Sequence, residues 1–162
     1  FAGSNFVDTV WEGCDFSNCN LEGSYWKRCV FTGGKGVGAD FSNSTWKQVL
    51  VEKSNFSMAN LDGSRMEEVN LTETDFHGSA FSYVKWKKIG ISRCSFSYVN
   101  FFRTPLKGLD LSDCDLEQIQ LSDQLKELFG AKVNWFRAAS LARFLGVEIV
   151  EEREKKEGEE TE

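Results

Sequence analysis

The sequence predicts an all-β solenoid closed by a short C-terminal α-helix, and three observations carry that prediction. First, a large apolar residue stands at every fifth position from Phe1 to Leu121, through Phe6, Trp11, Phe16, Leu21, Trp26 and Phe31 onward, and the series fails only at Gly36. A helical stripe recurs at about 3.6 residues and a half-buried strand at about 2, so a period of five held this long marks an internal repeat of one small supersecondary unit. Second, two residues before most centres lies a small or β-branched residue: Ser4, Thr9, Cys14, Cys19, Ser24, Cys29, Ala39, Ser44, Ser54, Ala59 and Ser64. Residues two apart on an extended backbone point the same way, so both registers face inward. Third, the residue between them is often Asn or Asp, as at Asn5, Asp15, Asn20, Asp40, Asn55, Asn60, Asn70, Asp75, Asn100, Asp110 and Asp115. These side chains bond well to nearby backbone at turns, so each pentapeptide reads as a short side plus a corner.

In this grammar the stretches 14–18 (CDFSN), 19–23 (CNLEG), 39–43 (ADFSN), 59–63 (ANLDG) and 114–118 (CDLEQ) have the form small residue, Asp or Asn, Leu or Phe, then two variable residues. Over roughly residues 2–123 the chain resembles the pentapeptide repeat family. The resemblance implies a right-handed quadrilateral β-helix in which four repeats make one square coil and residues four repeats apart stack. About six coils at the ~4.8 Å spacing of paired strands give a rod on the order of 30 Å long. Stacking between neighbouring coils then holds the rod together.

The elements follow in order. Residues 1–125 form the repeat solenoid, whose ladder the single proline, Pro105, rarely interrupts. The chain opens at Phe1 already in register and without Met, so a preceding stretch is expected to cover the apolar end of the first coil. The run Gly33-Gly34-Lys35-Gly36-Val37-Gly38 lacks the order of a phosphate-binding loop and is expected to be a loosened corner where the core centre is lost. Residues 126–150 form a capping and dimerisation module: a closing turn, then a helix from about Trp135 to Leu145 with Asn134 as N-cap and Gly146 just past the end. Trp135, Phe136, Ala138, Leu141, Ala142 and Leu145 cover more than one helix face, more than packing on the last coil requires, and are expected to dimerise it. The Glu/Lys-rich tail at 151–162 is expected to be disordered.

Composition excludes several function classes. With 41% hydrophobic and 14% aromatic residues the chain fills a core, and it has neither an apolar run of membrane length nor a signal-peptide pattern. A cytoplasmic protein without membrane contact is expected. Cys14, Cys19, Cys29, Cys94 and Cys114 all occupy the small inward position and make no C-x-x-C pair, so they read as reduced core residues rather than ligands or disulfides. His77, the only histidine, falls at an outward position without the partners that a base or metal site requires. No enzyme, metal or cofactor is expected.

What remains is surface charge. Assigning each residue to a side of the implied square coil gives the side centred on Phe6, Trp26, Trp46, Met66, Trp86 and Leu106 a net charge of +5, from Lys27, Arg28, Lys47, Arg65, Lys85, Lys87, Lys88 and Lys107 against Asp8, Glu67 and Glu68. The other three sides each carry −3. Any soluble rod needs outward charge. Spaced carboxylates on a narrow rod also imitate the phosphate array of DNA and suit a basic groove on a DNA-binding protein; the candidates here are Asp15, Glu22, Asp40, Asp62, Asp75, Asp115 and Glu117. The basic side's tryptophans are core centres, not stacking platforms, so no direct nucleic-acid contact is expected.

The C-terminal wording sharpens the expectation. The run Thr104-Pro105-Leu106-Lys107-Gly108-Leu109-Asp110-Leu111-Ser112, then Cys114-Asp115-Leu116, Ala138, Leu141-Ala142 and Leu145-Gly146-Val147, is similar to the end of the quinolone-resistance group, Qnr and MfpA. That resemblance implies a homodimeric DNA mimic that binds DNA gyrase or topoisomerase IV and shields it from fluoroquinolones. The Pro-Glu-Gln that usually opens the helix in that group is replaced by Trp135-Phe136-Arg137, and no loop insertion interrupts the coils. The same rod also fits a pentapeptide repeat scaffold that binds another protein partner.

Overall fold

The five-residue period becomes backbone geometry at the corners. From Gly3 to Gln118 the residue two past each centre has φ between +47° and +78°, in every unit except that of Asp113. A left-handed residue at each corner turns the chain without lengthening the side, and glycine adopts that conformation at no steric cost at Gly3, Gly13, Gly23 and Gly33. The computed structural model describes residues 1–150; the tail expected to be disordered, 151–162, lies outside the described residues.

Two sides of each coil are true strands. They are β1 (Asn5–Val7), β2 (Val10–Glu12), β3 (Tyr25–Lys27), β4 (Val30–Thr32), β5 (Thr45–Lys47), β6 (Leu50–Glu52), β7 (Arg65–Glu67), β8 (Asn70–Thr72), β9 (Lys85–Lys87) and β10 (Gly90–Ser92). They build two five-stranded parallel sheets, β1-β3-β5-β7-β9 and β2-β4-β6-β8-β10. The register places Phe6 on Trp26, Trp26 on Trp46 and Trp11 on Phe31, which is the four-repeat stacking expected. The other two sides are held by single bridges, Asp15–Lys35–Asn55–Asp75–Ser95–Asp115 and Asn20–Asp40–Asn60–Ala80–Asn100–Gln120.

Sequence decides which sides are which. On the bridge sides Asn or Asp before the centre accepts the N–H two residues on, as Asp15 does from Ser17 (2.8 Å), Asn20 from Glu22 (3.0 Å), Asp40 from Ser42 (2.9 Å) and Asp75 from His77 (2.8 Å). A β-turn then closes each side, with Cys19 N–H donating to the Phe16 carbonyl at 2.9 Å. This local bonding competes with a ladder. On the strand sides the same position holds Tyr25, Thr45, Val10, Val30 and Leu50, which suit a pleated surface, alongside Arg65, Lys85 and Gly90 and with Asn only at Asn5 and Asn70.

The centres form a continuous interior from Phe16 to Leu116, with Trp26, Phe41, Trp46, Phe81, Phe96 and Phe101 at most 1% exposed. Buried indoles need acceptors, and the small inward register supplies them: Trp26 Nε1 donates to Ser24 Oγ (2.7 Å), Trp46 Nε1 to Ser44 Oγ (2.6 Å) and Trp11 Nε1 to Thr9 Oγ1 (3.0 Å). Val84 offers no acceptor to Trp86, whose Nε1 donates to the Pro105 carbonyl at 2.7 Å. Gly36 corrects the expected loosening. It is buried and stays in the ladder, its N–H donating to the Asn55 carbonyl at 2.8 Å, and the Phe56 ring lies 2.9 Å from where a Cβ would stand. A neighbouring centre fills the space the glycine leaves.

Pro105 ends the first sheet. Arg65 and Lys85 donate to the carbonyls of Ser44 and Ser64 one coil below, and a proline in the next coil has no N–H to continue the column. Beyond it the coils slip. Leu106 N–H meets the Glu127 carbonyl and Asp110 pairs with Lys132, so the closing coil is longer than the repeats, accommodated by a 3-10 turn at Lys126–Leu128. Helix α1 (Trp135–Leu141) follows, with Asn134 capping the Arg137 N–H at 2.9 Å. The helix expected to reach Leu145 tightens into a 3-10 turn at Ala142–Leu145 and stops at Gly146, φ +73°. No helix among the described residues is long and apolar enough to cross a membrane.

Candidate protein-binding surface

The seven candidate carboxylates fall on the two bridge sides, which meet at one corner of the rod. Asp15, Asp75 and Asp115 share one ladder, and Asp40 lies in the next. Most are anchored to backbone. Asp15, Asp40, Asp75 and Asp115 each accept the N–H two residues on, and Asp62 accepts the Ser82 N–H at 2.7 Å. Hydrogen bonds from the Ser17 side chain and backbone hold Asp15 below the usual carboxylate range. Glu22 and Glu117 are exposed and make no side-chain hydrogen bond or ion pair among the described residues. Asp115 is different: Arg137 Nη1 of α1 stands 3.8 Å from it, so part of its charge serves the cap.

With Asp123, these two sides carry eight carboxylates against Lys35 and Arg103. Six net charges along six coils at ~4.8 Å amount to about one per 5 Å, against about one per 1.7 Å in duplex DNA. The surface therefore has the sign of a phosphate array at roughly a third of its linear charge density.

Sequence reasoning passed over an aromatic group beside these carboxylates. Tyr83 and Tyr98 are 56% and 49% exposed at left-handed corners, Tyr83 packs edge-on against Phe102 (5.6 Å between ring centres), and His77 lies 5.3 Å from Tyr98. The signal was present: bulky residues occupy corner positions that favour glycine or asparagine. His77 Nδ1 bonds Ser97 Oγ at 2.8 Å, and among the described residues the imidazole ring makes no hydrogen bond to a carboxylate and no metal-binding cluster occurs. All five cysteines are unbridged; burial pushes Cys94 up to about 11 and Cys114 up to about 12, which leaves them poor nucleophiles.

At the C-terminal end the six expected dimer residues separate. Ala138, Leu141, Ala142 and Leu145 line a groove of about 770 Å³ together with Leu128 and Phe129. Trp135 and Phe136, 72% and 68% exposed, pack against each other outside it with tilted rings, 4.7 Å between centres. Leu141 also packs towards the core, with Phe144. Two contributors escaped the sequence reading: Phe129, 73% exposed, and Glu127, only 3% exposed. The Glu127 carboxylate accepts from Arg103 N–H (2.8 Å), Ser122 N–H (3.0 Å) and the Ser122 hydroxyl (2.9 Å). Burial raises its pKa, but these donors outweigh that and hold it below the ordinary value.

The pentapeptide repeat family model, in blocks of eight copies, matches residues 1–33, 12–45, 37–72 and 52–84, together more than half of the chain. The chain belongs to the pentapeptide repeat family. Among solved pentapeptide repeat structures, it is similar to a trypsin-treated form of QnrB1, a plasmid-mediated fluoroquinolone resistance protein, at 19% identity and a TM-score of 0.44, covering 93% of this chain and 92% of that one. A pentapeptide repeat protein of the Arabidopsis thaliana thylakoid lumen is 21% identical, TM-score 0.36, over 82% of this chain and 88% of its own. Rfr23, from the cyanobacterium Cyanothece 51142, is 11% identical, TM-score 0.34, over 82% and 89%. No curated protein sequence matches this pentapeptide repeat protein.

Proposed function

We propose that this protein is a non-enzymatic DNA mimic that binds a type II topoisomerase, DNA gyrase or topoisomerase IV, and protects it from fluoroquinolones. The observation that carries the reading is the pair of adjacent acidic sides, whose carboxylates are fixed by backbone N–H groups on a rigid rod. Pre-oriented charge of this kind suits a basic groove and costs little ordering on binding. The C-terminal wording shared with the quinolone-resistance group supports the choice of enzyme. The apolar groove at α1 supports a two-fold dimer in which Leu145 and Phe129 of each copy cover the other's groove.

The test is gyrase supercoiling with ciprofloxacin, titrating in the purified protein. Rescue from drug-stabilised cleavage at sub-inhibitory protein is the expected result, and no effect on gyrase or topoisomerase IV sinks the reading. The informative variant is Asp40→Asn with Asp75→Asn, which removes two charges but keeps both side-chain acceptors, and it should weaken the effect at unchanged stability. Asp115 is left alone because its reversal would also disturb Arg137. Leu145→Asp should yield monomers by sedimentation; a dimer that survives it places the interface elsewhere.

A further inference from the structure

We propose that the side formed by β1, β3, β5, β7 and β9 docks on the phosphate backbone of duplex nucleic acid. Across this sheet Lys27 stands directly opposite Lys47, and Arg65 directly opposite Lys85. Like charges in register destabilise a sheet. Other charges on the rod stack opposite to opposite one coil apart: Asp8 with Arg28, Glu67 with Lys87 (3.1 Å) and Glu68 with Lys88 (3.9 Å) on this same side, and Glu73 with Arg93 (2.9 Å) on the next, while Lys47 also stands in register with Glu67. Lys27, Lys47, Arg65 and Lys85 make no ion pair among the described residues. Outward charge for solubility alone does not require stacking cation on cation, whereas a polyanion lying along the rod relieves both repulsions.

The side's shape selects the polyanion. Among the outward residues of these strands the one aromatic is Tyr25, half-buried, so the side lacks the aromatic anchors on which protein interfaces concentrate their energy. Trp26 and Trp46 are buried, and Trp86 is half-buried with its Nε1 tied to the Pro105 carbonyl, which disfavours base stacking and with it the usual mode for single strands. That is the ground on which no nucleic-acid contact is expected from the sequence, and it leaves the backbone of a duplex open. From Lys27 to Lys85 the sheet advances three coils, roughly 14 Å, along which one strand of a duplex presents about four phosphates, one for each unpaired cation. The basic side lies opposite the Asp15–Asp75–Asp115 ladder, so a duplex and a protein partner fit on the rod together. The inference does not depend on the topoisomerase reading.

The experiment is fluorescence anisotropy of an end-labelled duplex of about 20 base pairs with the full chain, at about 50 to 200 mM salt. Three to four phosphate contacts give a log–log salt slope of about −3 and an affinity loss on the order of 10²-fold over that range. Lys27→Glu with Lys85→Glu replaces each like pair by an opposite one and leaves Lys47 opposite Glu67. It should raise the unfolding midpoint while lowering duplex affinity at least tenfold at the lower salt, and Lys27→Gln with Lys85→Gln should lower affinity with a smaller thermal gain. A thermal gain at unchanged affinity overturns the proposal, as does absence of salt-dependent binding by the unaltered chain. So does binding of heparin or anionic vesicles but not the duplex. A negative gyrase assay alongside positive duplex binding removes only the acidic-side reading.

Discussion

A tryptophan at an inward centre brings an indole N–H that a dry core must satisfy, and the serine two residues earlier does so. Ser44 accepts from Trp46 Nε1 and donates its own proton to the Phe41 carbonyl at 2.6 Å, closing both accounts at once. Ser64 occupies the same place before Met66, which has no donor, and its buried hydroxyl has no partner among the described residues. The two serines should therefore respond oppositely to truncation. Ser44→Ala strands the indole and should cost roughly 1–3 kcal/mol, while Ser64→Ala should gain about 1 kcal/mol, both read by denaturant unfolding at constant m. Equal losses would mean that Ser64 does have a partner. The aspartates follow a similar logic: Asp75→Ala should cost about 1 kcal/mol through the lost turn acceptor, whereas Asp75→Asn should be close to neutral.

At the level of elements, the closing coil is where repetition ends and specific chemistry takes over. Pro105 stops one sheet, the register lengthens, and a single buried carboxylate, Glu127, gathers three donors from Arg103 and Ser122. Its pKa is lower folded than unfolded, so its contribution is present above the unfolded value of about 4.3 and is lost as pH falls through the native one. Glu127→Gln should destabilise the protein by roughly 1.5–3 kcal/mol near neutral pH. The gap from the parent should shrink as the pH drops below about 4, and a gap independent of pH would show that the ionised form is not what closes the coil. Nothing in the sequence marked Glu127, because it lies outside the repeat and becomes special only when the longer coil folds over Arg103. The N-cap at Asn134 and the stop at Gly146 were legible, since both are local signals.

For the whole molecule, the two ends of the rod differ. The coil at Phe1, Phe6 and Trp11 is partly exposed in cross-section, while the last coils lie under the closing turn and α1. Thiols report this gradient. Cys14 and Cys19 are half-buried, whereas Cys94 and Cys114 are buried, with pKa values pushed up to about 11 and about 12. Only the thiolate reacts, so at about pH 8 Cys94 and Cys114 should label at least on the order of 100-fold more slowly than Cys14 and Cys19, measured by mass-resolved alkylation. Uniform labelling would indicate that the rod opens as one unit faster than the reagent attacks.

The sequence by itself determined the repeat, its inward registers, the stacking partners, the capped helix and the charge of each side, because period five constrains every unit in the same way. The distinction between strand sides and turn sides was not read from it, because Asn5 and Asn70 stand before strand centres and Lys35, Ala80 and Ser95 before bridge-side ones. Only the tertiary structure decided that Phe56 fills the space at Gly36, that Asp115 shares its charge with Arg137, and that Leu145 joins a groove from which Trp135 and Phe136 are excluded. Each of these depends on residues one or more coils apart meeting at a particular distance. A repeat pattern specifies which residues stack, but not how much room each side chain leaves its neighbour.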